Sequence, residues 1–258
     1  MGPEQLKKKK ILKKLRNALI ALILPVLLLL LWEFAARQGW VNEALMPRPS
    51  KIGSTLWSLT EKGKLITDVL VSLRRVLLGY IVGALLGGGL GILLGLFRKL
   101  NTLTSLLMEI LRPIPVIAWV PVLILWIGID EKSKVVVIAI GTFWPVLLNV
   151  ISGIQNVDKK YLEVGQIFMK SRWVMVTKVI LPAALPSIFT GLRIASGNAL
   201  MSVVGAEMFA ASSGIGYMIS YAREMSQPAK MLAGVFVVGI LGCILNQIVA
   251  HIEKKRKY

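Results

Sequence analysis

The sequence is poor in the residue types on which metal centres and most enzyme active sites depend. Its 258 residues include one cysteine, Cys243, and one histidine, His251. A single cysteine excludes an intrachain disulfide framework, and these two residues are too few for a His/Cys metal cluster. A Gly-rich phosphate loop ending in Lys-Ser/Thr is also absent. We therefore expect no metal, no bound cofactor and no ATPase site on this chain.

Acidic residues are scarce as well, at 13 against 31 lysines and arginines, which gives a net charge of +18. The chain is 55% hydrophobic with a mean hydropathy of +0.71, a composition typical of a polytopic membrane protein. Basic residues cluster before the first apolar run and after the last one. This pattern predicts two cytoplasmic ends and an even number of spans, with membrane lipid rather than nucleic acid as the partner of the positive charge.

The apolar runs predict an all-α membrane protein with six transmembrane helices. A basic cytoplasmic tail at 1–17 precedes the first span at 18–35. An extracytoplasmic segment at 36–63 follows, and apolar residues at helical spacing predict a helix on the outer membrane surface. The other spans are predicted at 73–97, 114–129, 135–154, 187–211 and 231–252, and a second basic tail occupies 252–258.

A glycine recurs at every fourth position of the second predicted span, at Gly79, Gly83, Gly87, Gly91 and Gly95. Residues four apart lie nearly above one another on a helix. A stripe of small residues lets a neighbouring transmembrane helix approach closely. We therefore expect another span to pack along this stripe.

The longest charged interval in the second half of the chain covers residues 155–186. It combines charged residues, such as Glu163, with many large apolar residues, such as Trp173. The apolar residues disfavour a disordered loop, and the charges disfavour a membrane span. The interval therefore predicts a pair of short amphipathic helices that lie on the cytoplasmic face and meet a partner.

Within this interval, Glu163-Val164-Gly165 is followed after three residues by Met169 and nine residues later by Val179-Ile180-Leu181-Pro182. The spacing resembles the EAA loop of ABC-importer permeases. Gly165 stands where that loop has alanine, and Met169 stands where a glycine separates two short helices. The resemblance implies that the residues coupling this chain to a separate ATPase are Glu163, Gly165, Met169, Trp173, Leu181 and Pro182.

Other stretches extend the resemblance over 64–251, the predicted ABC transmembrane type-1 permease domain. Leu111-Arg112-Pro113-Ile114-Pro115 is similar to the nitrate/sulfonate/taurine-type importer permeases, and Gly128-Ile129-Asp130-Glu131 most resembles the aliphatic-sulfonate permeases. The resemblance implies a type I ABC importer permease fold in the bacterial inner membrane. It also implies a small anionic solute such as an aliphatic sulfonate, taurine or nitrate, with a thiamine-precursor-like heterocycle as the alternative.

The same resemblance implies an assembly of two permease copies, expected as a homodimer, with two ATPase subunits that hold ATP and Mg. An extracytoplasmic solute-binding protein completes it. Two other classes stay open from the residues alone. A secondary transporter would need an ion-coupling carboxylate in the middle of the membrane, and an intramembrane enzyme would need a set of catalytic groups.

Glu207 is the ionisable residue that most needs an explanation. It lies near the outer end of the fifth predicted span, where a carboxylate is either functional or braces the following 212–216 loop by accepting backbone hydrogen bonds. We favour bracing and keep Glu207 as a candidate for the pathway or outer gate. Met201 and Met208 on the same span are candidates for the same role, with adaptable packing as the alternative.

Overall fold

A computed structural model describes residues 3–168 and 171–256, with their side chains except those of 3–15, 17, 18, 159, 164–167 and 254–256. Regular structure in these ranges is helical throughout. A 3-10 turn (Val116–Ala118) precedes the fifth helix, and a π-helical turn (Val176–Ile180) joins the eighth to the ninth. The helices are α1 (Pro3–Arg37), α2 (Pro49–Glu61), α3 (Lys64–Leu96), α4 (Arg98–Leu111), α5 (Trp119–Ile127), α6 (Glu131–Gln155), α7 (Lys159–Phe168), α8 (Arg172–Met175), α9 (Leu181–Ala210), α10 (Ile215–Glu224) and α11 (Pro228–Arg256).

The core of the protein is the packing of α3 and α9 on either side of α6. The glycine stripe of α3 is buried and faces α6 along its length, as predicted. A Cβ atom at Gly87 would lie 2.6 Å from the carbonyl oxygen of Phe143, and one at Gly91 would lie 2.8 Å from the Cβ of Val150. The two backbones therefore approach more closely than any residue with a side chain would allow.

The contacts along this seam show that α3 and α6 run parallel. Gly79 faces Ile138 near the start of both helices, and Gly95 faces Ile154 near the end of both. The chain between them must therefore return to the side of the membrane on which α3 began. The chain therefore crosses the membrane once more between α3 and α6. This crossing is made by the bent pair α4 and Val116–Ile127, not by one straight helix.

The structure differs from the prediction at the third span. A single helix was expected at 114–129, after a short cytoplasmic turn. Instead α4 and the Val116–Ile127 segment are both helical and meet at an angle of 78°. Pro113 and Pro115 lie at the bend, and proline opposes helix at the residue before it and removes a backbone donor.

The remaining helices complete the crossing pattern. Gly141 of α6 lies against Ser202 and Gly153 against Ser187, so α6 and α9 are antiparallel. Within the described residues, five helices are long and apolar enough to span a membrane, and the bent pair brings the number to six. The predicted all-helical membrane fold is confirmed, and counting the bent pair as one span gives the predicted six, an even number that places both ends on one side.

Two further differences concern the outer surface. The helix α3 begins at Lys64 rather than at residue 73, so the expected surface helix is α2 alone. The segment between the fifth and sixth spans was expected to be a loop, but it contains α10, which buries Ile215 and Met218 against α11 and α3. These additional packed turns enlarge the outer end of the bundle.

Candidate coupling and translocation sites

The predicted coupling interval begins with α7, just after the end of α6. Asp158 starts this helix by accepting a hydrogen bond from the Lys160 backbone N–H at 3.0 Å on its Oδ1. An aspartate at this position satisfies a backbone donor that the first helical turn leaves without a partner. The helix α7 therefore starts at a fixed point close to the core.

The second half of the interval differs from the prediction. Two separate short helices were expected, but α8 continues through the π-turn into α9 as one helical run over Arg172–Ala210. Pro182 lacks the N–H that would bond to the Lys178 carbonyl, and the wider π-turn lies next to this missing bond. The second half of the interval, from Arg172 onwards, is thus an extension of a transmembrane helix.

Large apolar side chains of this cytoplasmic segment are exposed. Tyr161 and Phe168 lie seven residues apart, and therefore on one face of α7. Trp173 on α8 is 74% exposed. Large aromatic side chains exposed outside the membrane spans are typical of an interaction surface. We call these three residues the coupling surface.

Five polar side chains meet at the opposite, outer end of the bundle, and we call them the outer clamp: Asp68, Ser72, Arg75, Glu131 and Glu207. Arg75 donates to both carboxylate oxygens of Glu131, from Nε at 2.7 Å and from Nη2 at 2.6 Å. Its Nη1 donates to Glu207 Oε1 at 2.8 Å. One guanidinium thus ties together α3, α6 and α9.

The outer clamp also holds the start of α10. Three consecutive backbone N–H groups donate to it: Gly214 to Asp68 Oδ1 at 2.9 Å, Ile215 to Ser72 Oγ at 2.9 Å and Gly216 to Glu207 Oε2 at 2.8 Å. These are donors that a helix start leaves without an internal partner. Here side chains from two other helices satisfy them, which fixes α10 to α3 and α9.

Gly214 is the residue that makes this arrangement possible. Its φ is +108°, a conformation that residues with a side chain rarely adopt. A Cβ atom at this position would also lie 2.5 Å from the carboxyl carbon of Glu207. Any larger residue would therefore displace the carboxylate from the outer clamp.

A cavity of about 330 Å³ lies between the bend before α5 and the middle of α9. Pro115, Val116 and Ile117 form one wall, and Asn198, Met201, Ser202 and Gly205 form the other. Met201 is largely exposed beside it. Met208 is half-buried and does not line this cavity.

Comparison with known proteins gives the family of this chain. A family model for the binding-protein-dependent transport system inner membrane component matches residues 79–258, more than two thirds of the sequence. The chain belongs to this family. It is therefore a multi-pass permease subunit of an ABC importer in the bacterial inner membrane, and it works with a separate ATPase and a solute-binding protein.

Relatives of the permease are named for small anions. It is 37% identical over 235 residues to the aliphatic sulfonates transport permease protein SsuC of Bacillus subtilis (strain 168), covering 91% of this chain and 85% of that one. It is 30% identical over 253 residues to the nitrate import permease protein NrtB of Leptolyngbya laminosa, covering 94% of this chain and 89% of that one. Both are named as permeases, not as enzymes.

The fold of the permease is similar to that of a chain from the MetNI methionine ABC transporter, solved in inward-facing conformations. The TM-score is 0.67 at 18% sequence identity, and the match covers 76% of this permease and 97% of that chain. This likeness shows that the permease has the type I ABC importer fold, as predicted.

The predicted site residues of the permease fall into two groups. Glu163, Gly165 and Trp173 lie on α7 and α8, with Glu163 exposed, while Leu181 and Pro182 begin α9. Met169 lies outside the described residues. Glu207 has no exposed surface, and its bond from Gly216 supports the bracing interpretation over contact with a solute.

The sequence analysis missed Arg75 as the centre of the outer clamp. A signal was present, because Arg75, Glu131 and Glu207 each lie at the outer end of a predicted span. Charges of opposite sign at the same membrane depth tend to pair. Among the described residues, no group of three or more His, Cys, Asp or Glu side chains is arranged to hold a metal ion.

Proposed function

We propose that this permease pairs with a second copy of itself and imports a small anionic solute, an aliphatic sulfonate, taurine or nitrate. Two relatives at 30–37% identity are named for aliphatic sulfonates and nitrate. The energy comes from two partner ATPase subunits, which hold the ATP and Mg. An extracytoplasmic binding protein delivers the solute to the outer loops.

The observation that carries the coupling role is Trp173, the exposed residue of the coupling surface whose helix continues into the membrane. Exposed aromatic residues supply much of the binding energy in protein interfaces. Trp173 lies on the same helical run as the middle of α9. An ATPase that moves Trp173 would therefore also move the wall of the cavity at Asn198 and Met201.

Each predicted coupling residue has a role in this proposal. Glu163 and Trp173 contact the ATPase, Gly165 on α7 leaves room for that contact, and Met169 belongs to the same coupling interval. Leu181 and Pro182, together with the π-turn before them, connect the contact to α9. Met201 faces the pathway between the two permease copies, Met208 supports it, and Glu207 acts as a positioning residue at the outer gate.

Two tryptophans with equal exposure provide a matched test of the coupling surface. Trp173 and Trp57 are both 74% exposed, but Trp57 lies on α2 at the outer surface. Tagged wild-type, Trp173→Ala, Glu163→Lys and Trp57→Ala chains are purified from native membranes in mild detergent. We expect a stoichiometric ATPase with the wild type and Trp57→Ala, and its loss from Trp173→Ala and Glu163→Lys.

The opposite pattern would remove the proposed contact. If Trp173→Ala and Glu163→Lys retain the ATPase at wild-type stoichiometry, the coupling surface is not where the two proteins meet. Uptake into vesicles tests the solute class separately. ATP-independent uptake would favour a secondary transporter, and ATP-dependent uptake restricted to uncharged heterocycles would contradict the anionic solute.

A further inference from the structure

The cavity beside α9 contains a polar side chain without a partner. Asn198 lines this cavity, and its side-chain amide makes no hydrogen bond to any residue that the structure describes. Its backbone carbonyl accepts a bond from Ser202 Oγ at 2.7 Å, a contact that does not involve the side chain. The amide itself therefore remains available inside an apolar span.

A second asparagine in the core shows that the packing can satisfy such an amide. Asn149 of α6 donates from Nδ2 to the Pro145 carbonyl oxygen at 2.8 Å. Asn198 is half-buried and lines an open cavity, so its amide is accessible from outside the bundle. Within the described residues it has no partner, and a solute with its water, or a second copy of the permease, can reach it.

The surroundings of Asn198 favour an anion. The residues that line the cavity include no acidic and no basic side chain. The one carboxylate on the outer half of α9, Glu207, is fully buried and bonded to Arg75. No charged side chain therefore repels an anion at this cavity, where the Asn198 amide can donate a hydrogen bond.

An uncharged hydrogen-bond donor such as the Asn198 amide also suits a solute that must leave the cavity again during transport. Transport requires binding strong enough for entry and weak enough for release. An arginine or lysine would hold an anion tightly, whereas an amide N–H donates to a sulfonate or nitrate oxygen without a full charge. A volume of about 330 Å³ lies at the small end of ligand pockets.

We propose that the Asn198 side-chain amide contacts the oxyanion group of the transported solute at mid-membrane. Gly205 sets the size of the space beside it. A Cβ atom on Gly205 would lie 3.1 Å from Ile117 Cδ1, so any side chain there narrows the cavity against the other wall. The proposal rests on the proposed function, because it takes the anionic solute from it.

The test uses the complete transporter in proteoliposomes with loaded binding protein and internal ATP. Uptake of radiolabelled ethanesulfonate, taurine and nitrate is measured together with ATP hydrolysis. Asn198→Asp has nearly the same shape but a negative charge, Asn198→Leu removes the amide, and Asn198→Gln retains it. We expect uptake to fall at least tenfold for Asp and several-fold for Leu, with Gln close to the wild type.

The ratio of ATP hydrolysed to solute imported separates a contact from a structural role. For Asn198→Asp we expect this ratio to rise at least tenfold, because binding-protein-stimulated ATP hydrolysis continues while the anion is repelled. A structural residue would lower both activities together. If Asp and Leu import at the wild-type rate, or if uptake falls only in proportion to complex yield, the anion contact is wrong.

The wild type in the same vesicles shows which proposal has failed. ATP-dependent import of any of the three anions by the wild type, with unchanged import by Asn198→Asp, overturns the Asn198 contact alone. Import of only an uncharged solute by the wild type overturns both the contact and the solute class. A drop in dimer yield for Asn198→Leu with normal uptake per dimer assigns the amide to the interface between copies.

Discussion

The two ends of this permease are built in opposite ways. At the outer end, side chains from α3, α6 and α9 bond to one another and to the start of α10, and Glu207 has no exposed surface. At the cytoplasmic end, large side chains of α7 and α8 project from the bundle. The outer end pairs most of its buried polar atoms within the chain, with Asp68 Oδ2 as an exception, whereas the cytoplasmic end leaves apolar groups for a partner.

This difference indicates which end of the permease would receive a movement of the ATPase and which helices that movement would displace. The segment proposed to meet the ATPase continues, from α8 onwards, as one helical run into α9. The outer ends of the same core helices are joined through one buried guanidinium, Arg75. A displacement at Trp173 is therefore expected to shift α9 together with the whole outer end as one piece, since buried paired charges resist separation.

Among the variants that test this difference between the two ends, Arg75→Leu is expected to lower the stability of the protein most. The change leaves the carboxylate of Glu207 buried without its counter-ion, and breaking such a pair costs about 3–5 kcal/mol. We expect little folded protein, and a melting temperature in detergent many degrees below that of the wild type. Thermal unfolding of the purified protein measures the melting temperature, and the yield of protein from the membrane measures the amount that folds.

Two arginines serve as controls for Arg75. Arg74→Leu changes the neighbouring residue, which is exposed. Arg193→Leu removes an ion pair with Glu253 at the cytoplasmic end, where Arg193 is 42% exposed. Both should unfold close to the wild-type temperature. If Arg193→Leu were as damaging as Arg75→Leu, the two ends would not differ in the way described.

An intermediate effect is expected at the seam that connects the two ends. Gly87→Ala places a methyl group 2.6 Å from the Phe143 carbonyl oxygen, so α3 and α6 must separate. Overpacking of this kind costs about 1–3 kcal/mol. Gly89→Ala is the control, because no atom lies within 4 Å of its added Cβ. The melting temperature should fall for Gly87→Ala only, and equal effects would contradict the close seam.

Much of the bundle is predictable because its signals are local or periodic. Apolar length gives five of the spans, and the four-residue repeat of glycines predicts the α3–α6 seam before its partner is known. The continuous helix through Pro182 is not predictable in this way, since a proline ordinarily ends or bends a helix. The π-turn that accommodates it depends on packing that the sequence pattern does not display.

The candidate sites divide in the same way, into features with a local signal in the sequence and features that depend on distant residues. Glu207 was predicted to brace a loop, because a carboxylate before a Gly-rich segment has backbone donors near it in sequence. Its partner Arg75 lies 132 residues away, and nothing local selects it. Asn198 gave no signal at all, since its importance comes from a cavity formed with Val116 and from the absence of a partner within the described residues.

The smallest effect should come from Glu131→Gln, which sharpens the contrast within the outer clamp itself. Glu131 bonds to Arg75 as Glu207 does, but its side chain is 63% exposed. The amide of glutamine retains one hydrogen-bond acceptor, and water around the exposed carboxylate weakens its pairs with Arg75 and with Lys134, which are themselves buried. We expect the melting temperature to fall slightly, with the deficit shrinking as salt screens the wild-type pair. Thermal unfolding at low and high salt measures this difference. A loss comparable to that of Arg75→Leu would mean that the pairs of Glu131 with Arg75 and Lys134 stabilise the outer end as much as the buried carboxylate does.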